Sequence, residues 1–410
     1  MSKNPYLSAK SKNNKEFNTM KSFNYYAPTQ VVFGADAEEQ IPQLVKYYGG
    51  TKVLIHYGGK SAERSGLLYE IEQRLSEAGI QHLTLGGVVP NPRLSKAQEG
   101  IDLCRKEGID FILAVGGGSV IDSSKCIALG VPYEGDVWDF YAGKAEAKAC
   151  LPLAAVLTIP AAGSEMSGGS VITKDEGDLK WSYDNNLCRC KFAIMNPVRT
   201  YTLPPYQTAC GVTDIMMHTM ERYFSQEEMG ITDAIAIALL RAVHEYGPLV
   251  LAQPEDYYLR SQIMWAGSLA HNDLTGCGTI GDWGTHNMEH ELSALYGVAH
   301  GAGLAALWCH WATYVLDAGP ARFARFAREV LDVTVKDPVL AAKEGIRRMR
   351  EFYHSIGMPA SIPELIGRKA TNDELLLMAE KCSRGRTITN GNFKKLAYED
   401  VLKIYTAANE

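Results

Sequence analysis

Hydrophobic positions along the chain change their spacing once. Up to about residue 205, short apolar runs alternate with amphipathic stretches. FNYYAPTQVVFGA alternates aromatic and β-branched residues and predicts a short strand ending at Gly34. TKVLIHYGG predicts a buried strand from Val53 to His56 and a turn at Gly58-Gly59. In the helix that follows, SGLLYEIEQRLSEAGI, the inner stripe is Leu67, Leu68, Ile71 and Leu75. QHLTLGGVVPNP predicts a third strand with a Pro/Asn turn, and then a helix closing at KEGID. Phe111 to Val115 forms an apolar run suited to a central parallel strand, and LPLAAVLTIPAAGSEMSGGSVIT adds another strand with a second Gly/Ser-rich turn. Strands alternating with helices predict a parallel α/β domain.

After YTLPPYQTACGV the period becomes 3.6 residues, as in TDAIAIALLRAVHEYGPLVLA and GLAALWCHWATYVLDAG. Pro204 and Pro205 would stop a preceding element. The expected organisation is a polar extension over residues 1–21, an α/β nucleotide-binding domain over 22–205 and an all-α domain over 206–410.

Composition narrows the classes of function without choosing one. Apolar residues make up 46% and charged residues 21% of 410, and the net charge of −6 provides no basic field for nucleic acid or anionic lipid. No apolar run is read as a membrane span, and the N-terminus lacks the apolar core of a signal peptide. Nine cysteines without repeated spacing fit free thiols in a reducing cytoplasm.

Two patterns carry candidate chemistry. In FILAVGGGSVIDSSK, Gly116, Gly117 and Gly118 follow the buried strand and permit close backbone approach, Ser119 is placed to cap the next helix, and the helix start suits a pyrophosphate. A plain βα turn has the same composition, and the GxGxxG fingerprint and its acidic ribose anchor are absent. The stretch DWGTHNMEHELSALYGVAHG, residues 282–301, holds His286, His290 and His300, and Asp214 and His218 stand four apart in GVTDIMMHTMERY. Residues four apart share a helix face, and a carboxylate with two or three imidazoles suits zinc or ferrous iron. Glu291 follows the second histidine of its pair, so the HExxH pattern of a metalloprotease is not met.

VGGGSVIDSSK, LTIPAAGSE, NPVRTYTLPPYQTACGVTDIMMHTMERY and DWGTHNMEHELSALYGVAHG, in that order, resemble the iron-dependent (group III) alcohol dehydrogenases, nearest to the butanol dehydrogenase and broad-specificity aldehyde reductase branch. The resemblance runs from about Phe23 to the C-terminus. It implies a dinucleotide-binding α/β domain followed by an all-α, dehydroquinate synthase-like domain. It also implies metal ligation by Asp214, His218, His286 and His300, with His290 beside the nicotinamide and supporting proton transfer. Gly116 to Ser119 and Asp122 match the pyrophosphate site, Thr158 a cofactor contact, Lys180 a lysine at the nicotinamide ribose, and Leu203 a residue packing near the nicotinamide. Members preferring NAD tend to carry an aspartate where this chain has Gly59; with Gly58 before it and Lys60 and Ser61 after, the turn favours NADP(H) over NAD(H). Ser167 and Asn196 depart from the asparagine and aspartate of close relatives.

The implied activity is hydride transfer between NADP(H) and short-chain alcohols or aldehydes such as butanol and butanal, with one ferrous, zinc or manganese ion, in a cytoplasmic homodimer. Trp283 and Trp265 are expected to line a pocket for the aliphatic chain. Two other classes use the same frame. A lyase or cyclase of the dehydroquinate synthase kind needs several basic residues around a phosphorylated substrate, and only Arg222 stands beside the proposed ligands. A non-catalytic binding protein would have lost a ligand, and all four ligand types are present.

Overall fold

The computed structural model describes residues 21–410; the expected N-terminal extension falls almost wholly outside them. The first half builds a six-stranded parallel sheet. Its strands are β1 (Gln30–Phe33), β2 (Lys52–Tyr57), β3 (Gln81–Leu85), β4 (Phe111–Gly116), β5 (Leu153–Leu157) and, later in the chain, β8 (Phe192–Met195). Their spatial order is β1-β8-β5-β4-β2-β3. From β2 the chain steps outward to β3, then crosses to the other side of β2 to form β4, so the order reverses between β2 and β4. Ligands of open parallel sheets bind outside the strand C-termini at such a reversal. The turns at Gly58-Gly59 and Gly116–Gly118 therefore flank the predicted crevice.

The apolar runs are buried because helices cover both sheet faces. Ile112 and Ala114 of β4 face one core with Ile121 and Ile127, while Phe111, Leu113 and Val115 face the other with Ile41, Ile71 and Leu75. All four predicted stripe residues of helix Leu67–Glu77 are buried. One element has no counterpart in the sequence reading, an antiparallel pair of β6 (Gly169–Lys174) and β7 (Leu179–Asp184) projecting from the second Gly/Ser turn. Its alternation is half polar, and the turn at Asp178, in the left-handed region at φ 47°, is not an obvious hairpin signal.

From Pro205 onward the named regular elements are helical. Helix Pro205–Tyr223 is buried along nearly its whole length, with helices Gly230–Ala252, Tyr257–His271 and His300–Val315 packed around it. The expectation that no segment could span a membrane needs correction: Gly230–Ala252 is long and apolar enough by length and composition. It carries Asp233, Arg241 and Glu245 and sets Ala236, Leu240, Val243 and Val250 into the helical core, while Leu239 and Ala242 line an outer groove.

Candidate active site

Helices Pro205–Tyr223, Gly284–Tyr296 and His300–Val315 bring the predicted metal ligands together. Asp214 Oδ1 lies 3.3 Å from His218 Nδ1, 3.7 Å from His286 Nε2 and 3.8 Å from His300 Nε2. Ligand atoms of Asp214, His286 and His300 all lie within 4.8 Å of one another. The His218 ring stands 4.6 Å from that of His286, centroid to centroid. Asp214 Oδ1, His218 Nδ1 and His286 Nε2 are buried without a hydrogen-bond partner among the described residues. Burying such atoms unpaired costs about 1–3 kcal/mol each, and more where charge is involved. Polar atoms converging in this way fit a divalent ion, and the N₃O donor set suits iron or zinc.

Two carboxylates that the sequence reading passed over hold the imidazoles from behind. Glu221 Oε2 accepts from His286 Nδ1, while its Oε1 accepts from the backbone N–H of Thr285, 2.7 Å, and of His286, 3.2 Å. Glu289 accepts from His300 Nδ1 and Ser293 Oγ, with Lys180 Nζ 3.4 Å away. Each carboxylate fixes the tautomer that leaves Nε2 facing Asp214. A signal was present, because Glu221 and Glu289 each stand three residues after a ligand histidine, on its helix face.

Burial opposes the charged form of His286, and Glu221 and Asp214 more than offset it, raising its pKa to about 9. Burial and then the neighbouring His286 hold His218 well below the ordinary value. His290 is half-buried, its ring 5.8 Å from that of His300; burial, then the Lys180 charge, holds its pKa well below the ordinary histidine value.

Trp283, in the left-handed region at φ 60°, sets its ring 5.4 Å from His286, with the Arg222 guanidinium 4.6 Å over its face. His271, which the sequence reading did not select, packs edge-on at 4.1 Å against His218. Trp265 corrects an expectation. It is 40% exposed and lines a groove with Leu239, Ala242 and Tyr246 on the outer side of helices Gly230–Ala252 and Tyr257–His271, away from the ligands.

On the sheet side, a Cβ at Gly116 would sit 2.5 Å from Val120, at Gly117 3.1 Å from Ile159 and at Gly118 2.9 Å from Ala162. Only glycine allows this turn, which stays partly open to solvent. The helix begins at Gly118 with Gly117 as its N-cap, so Ser119 lies within the first turn and does not cap it. Asp122 braces the second Gly/Ser turn, accepting from Ser164 Oγ at 2.6 Å and Val171 N at 2.9 Å. Lys125, fully buried, donates to the carbonyls of Ser164, Ser167 and Gly169 at 2.7–2.9 Å. Ser167 is thus absorbed into structure, as is Asn196, which accepts from Val198 N and donates to Ala35 O and Glu38. Thr158 follows β5 and donates its N–H to Gly116 O, 3.1 Å; Leu203 is half-buried just before helix Pro205–Tyr223. Gly58, Gly59 and Ser61 lie on the exposed turn after β2, and a side chain at Gly59 would meet nothing within 4 Å.

A strand-order crevice beside a histidine-and-aspartate pocket fits a two-domain, metal-dependent oxidoreductase of the dinucleotide-using kind. Comparison with known proteins agrees. Residues 28–197 match the family described as iron-containing alcohol dehydrogenase, and residues 208–409 its C-terminal domain. The chain is 41% identical over 393 residues to probable NADH-dependent butanol dehydrogenase 1 of Bacillus subtilis, covering 95% of this chain and 100% of that one. It is 35% identical over 357 residues to the NADPH-dependent aldehyde reductase YqhD of Escherichia coli, covering 84% and 89%. The solved NADH-dependent butanol dehydrogenase A of Thermotoga maritima superposes with a TM-score of 0.92 at 33% identity, covering 95% and 99%. The chain belongs to the iron-containing alcohol dehydrogenase family. It is an NAD(P)-dependent alcohol dehydrogenase or aldehyde reductase that uses a divalent metal.

Proposed function

We propose that the protein interconverts short-chain primary alcohols and aldehydes, such as butanol and butanal, with NADP(H) preferred over NAD(H) and one ferrous or zinc ion, manganese being a third candidate. The convergence of Asp214 Oδ1, His218 Nδ1 and His286 Nε2, buried and unpartnered among the described residues, with His300 beside them, carries this reading. When bound, the ion supplies Lewis-acid stabilisation of charge at the carbonyl oxygen and the dinucleotide supplies the hydride.

The protein's own residues do the rest. Asp214, His218, His286 and His300 hold the ion, with Glu221 and Glu289 fixing the tautomers of two of them. The turn at Gly116, Gly117, Gly118 and Ser119 receives the diphosphate, and Asp122 shapes its surroundings. Lys180 reaches the ribose, while Thr158 and Leu203 bound the nicotinamide. His290 passes a proton between the substrate oxygen and solvent, and Trp283 walls the aliphatic side. NADP(H) preference is supported by the open space at Gly59, where no carboxylate opposes a 2′-phosphate, and by Lys60 and Ser61 beside it. The relatives divide on this point, since some are named NADH-dependent and one NADPH-dependent.

Nine free cysteines support a cytoplasmic location. The edge position of β1, with Phe33 exposed on it, and the exposed Phe23, Tyr25 and Tyr26 ahead of it in the chain support a homodimer. Metal-stripped protein given ferrous iron, zinc or manganese should oxidise NADPH with butanal, and His286→Ala should not. No turnover of any aldehyde by metal-loaded wild type would overturn the reading.

A further inference from the structure

Glu289 touches both sides of the cleft and a metal-ligand imidazole. It is fully buried on helix Gly284–Tyr296, and its Oε2 serves two donors, His300 Nδ1 and Lys180 Nζ. His300 offers its other nitrogen to the metal pocket. Lys180 comes from β7, in the other half of the chain, and is itself only 6% exposed. Glu289 Oε1 is tied to Ser293. The space it fills depends on Gly303, where a Cβ would lie 2.8 Å from both Glu289 Cγ and Oε1. Burial opposes ionisation of Glu289, but His300 and Lys180 hold its pKa far below the usual carboxylate range.

Glu221 differs in one respect. It braces His286 and the backbone at the start of helix Gly284–Tyr296, and among the described residues it makes no hydrogen bond to the sheet domain. A carboxylate placed behind a single imidazole has one task. One shared between an imidazole and a lysine from the nucleotide side has two, because its position sets both.

We propose that Glu289 is a positioning residue shared by the metal ligand His300 and the cofactor-side Lys180, so that one side chain sets both metal retention and dinucleotide affinity. The inference rests on the functional reading above, which gives Lys180 its place at the ribose. Replacing the charge while keeping the shape separates the two tasks.

The test compares wild type, Glu289→Gln, Glu221→Gln and Ser293→Ala. Metal affinity is read by competition with a chromophoric chelator, and coordination by the visible spectrum of the cobalt-substituted protein. NADPH dissociation constants are read by fluorescence at saturating metal, so that lost metal cannot pass for lost nucleotide binding. Glu289→Gln should weaken metal retention about 10-fold or more and also weaken NADPH binding several-fold. Glu221→Gln should weaken metal retention to a similar degree and leave NADPH binding unchanged. Ser293→Ala, which removes only the Oε1 partner, should move either affinity less than about twofold, on the scale of one hydrogen bond. Folding is checked by circular dichroism and by the melting midpoint of each variant. Glu289→Gln with wild-type NADPH affinity would overturn the shared role, as would equal NADPH losses in Glu221→Gln and Glu289→Gln. Wild type that binds neither metal nor nucleotide would overturn the functional reading beneath it, a different result from either of these.

Discussion

The two faces of the cleft treat buried polar groups in opposite ways. On the sheet side, Lys125 is fully buried and serves three carbonyls and two hydroxyls, while Asp122 has a hydroxyl and a backbone N–H. On the helical side, Asp214, His218 and His286 present buried atoms with no partner among the described residues. The first arrangement is complete and shapes a turn. The second is paired only from behind, by Glu221 and Glu289, and open in front. A buried charge therefore marks a ligand site only when its hydrogen bonds are left over, and the ledger of partners separates the two cases where residue type does not.

The sharpest way to break this contrast is Asp214→Asn. Turnover should fall by about a thousandfold or more, with loss of metal affinity, since a ligand's charge is removed. Oδ1 has no hydrogen bond to lose, but its charge supports that of His286, so the metal-free variant should melt only modestly lower than metal-free wild type; calorimetry and a chelator titration read the two quantities. Lys125→Met should do the reverse to stability. It leaves three carbonyls without their donor and should cost about 3 kcal/mol in denaturant titrations, with the metal site intact.

Next in size is a pH effect from His56, a satisfied group beneath the nucleotide turn that bonds Leu85 O and Ser123 Oγ at 2.9 Å. Burial lowers its pKa to about 4 from 6.5. A histidine depressed in the folded state contributes stability above its unfolded value, lost as pH falls from about 6.5 through 4. Between pH 7 and 5 the loss should be about 2 kcal/mol, and His56→Gln should remove that slope from urea midpoints. The smallest effect is at Gly59, where open space accepts a side chain. Gly59→Asp should shift the NADH-to-NADPH ratio of kcat/KM about tenfold towards NADH, checked by initial rates with both cofactors.

Much of this was legible in advance because periodicity reports burial directly. The stripe of Leu67, Leu68, Ile71 and Leu75 and the runs of β2, β4 and β5 were readable, since parallel strands covered on both faces must be apolar throughout. The β6–β7 pair was not, because its half-exposed strands mix polar and apolar residues and it packs on neighbours distant in sequence. Spacing alone leaves His290 among the candidate ligands, and only the family resemblance separates it from Asp214, His218, His286 and His300. Glu221 and Glu289 escaped notice because a glutamate on a helix is ordinary, and only the fold shows which imidazole it faces. Trp265 stands on a helix that packs against the ligand helix Pro205–Tyr223 but faces the outer groove, a direction that residue type does not report.

The bracing of the ligands runs in one direction along the chain. Helix Pro205–Tyr223 supplies Asp214, His218 and, through Glu221, the support for His286; helix Gly284–Tyr296 supplies His286 and, through Glu289, the support for His300. Each helix thus carries a ligand of its own and the prop for a ligand on the next. These helices are not interchangeable parts. Exchanging helix Gly284–Tyr296 would touch both junctions and exchanging Pro205–Tyr223 one, so a change at a histidine and a change at its glutamate, on different helices, are coupled.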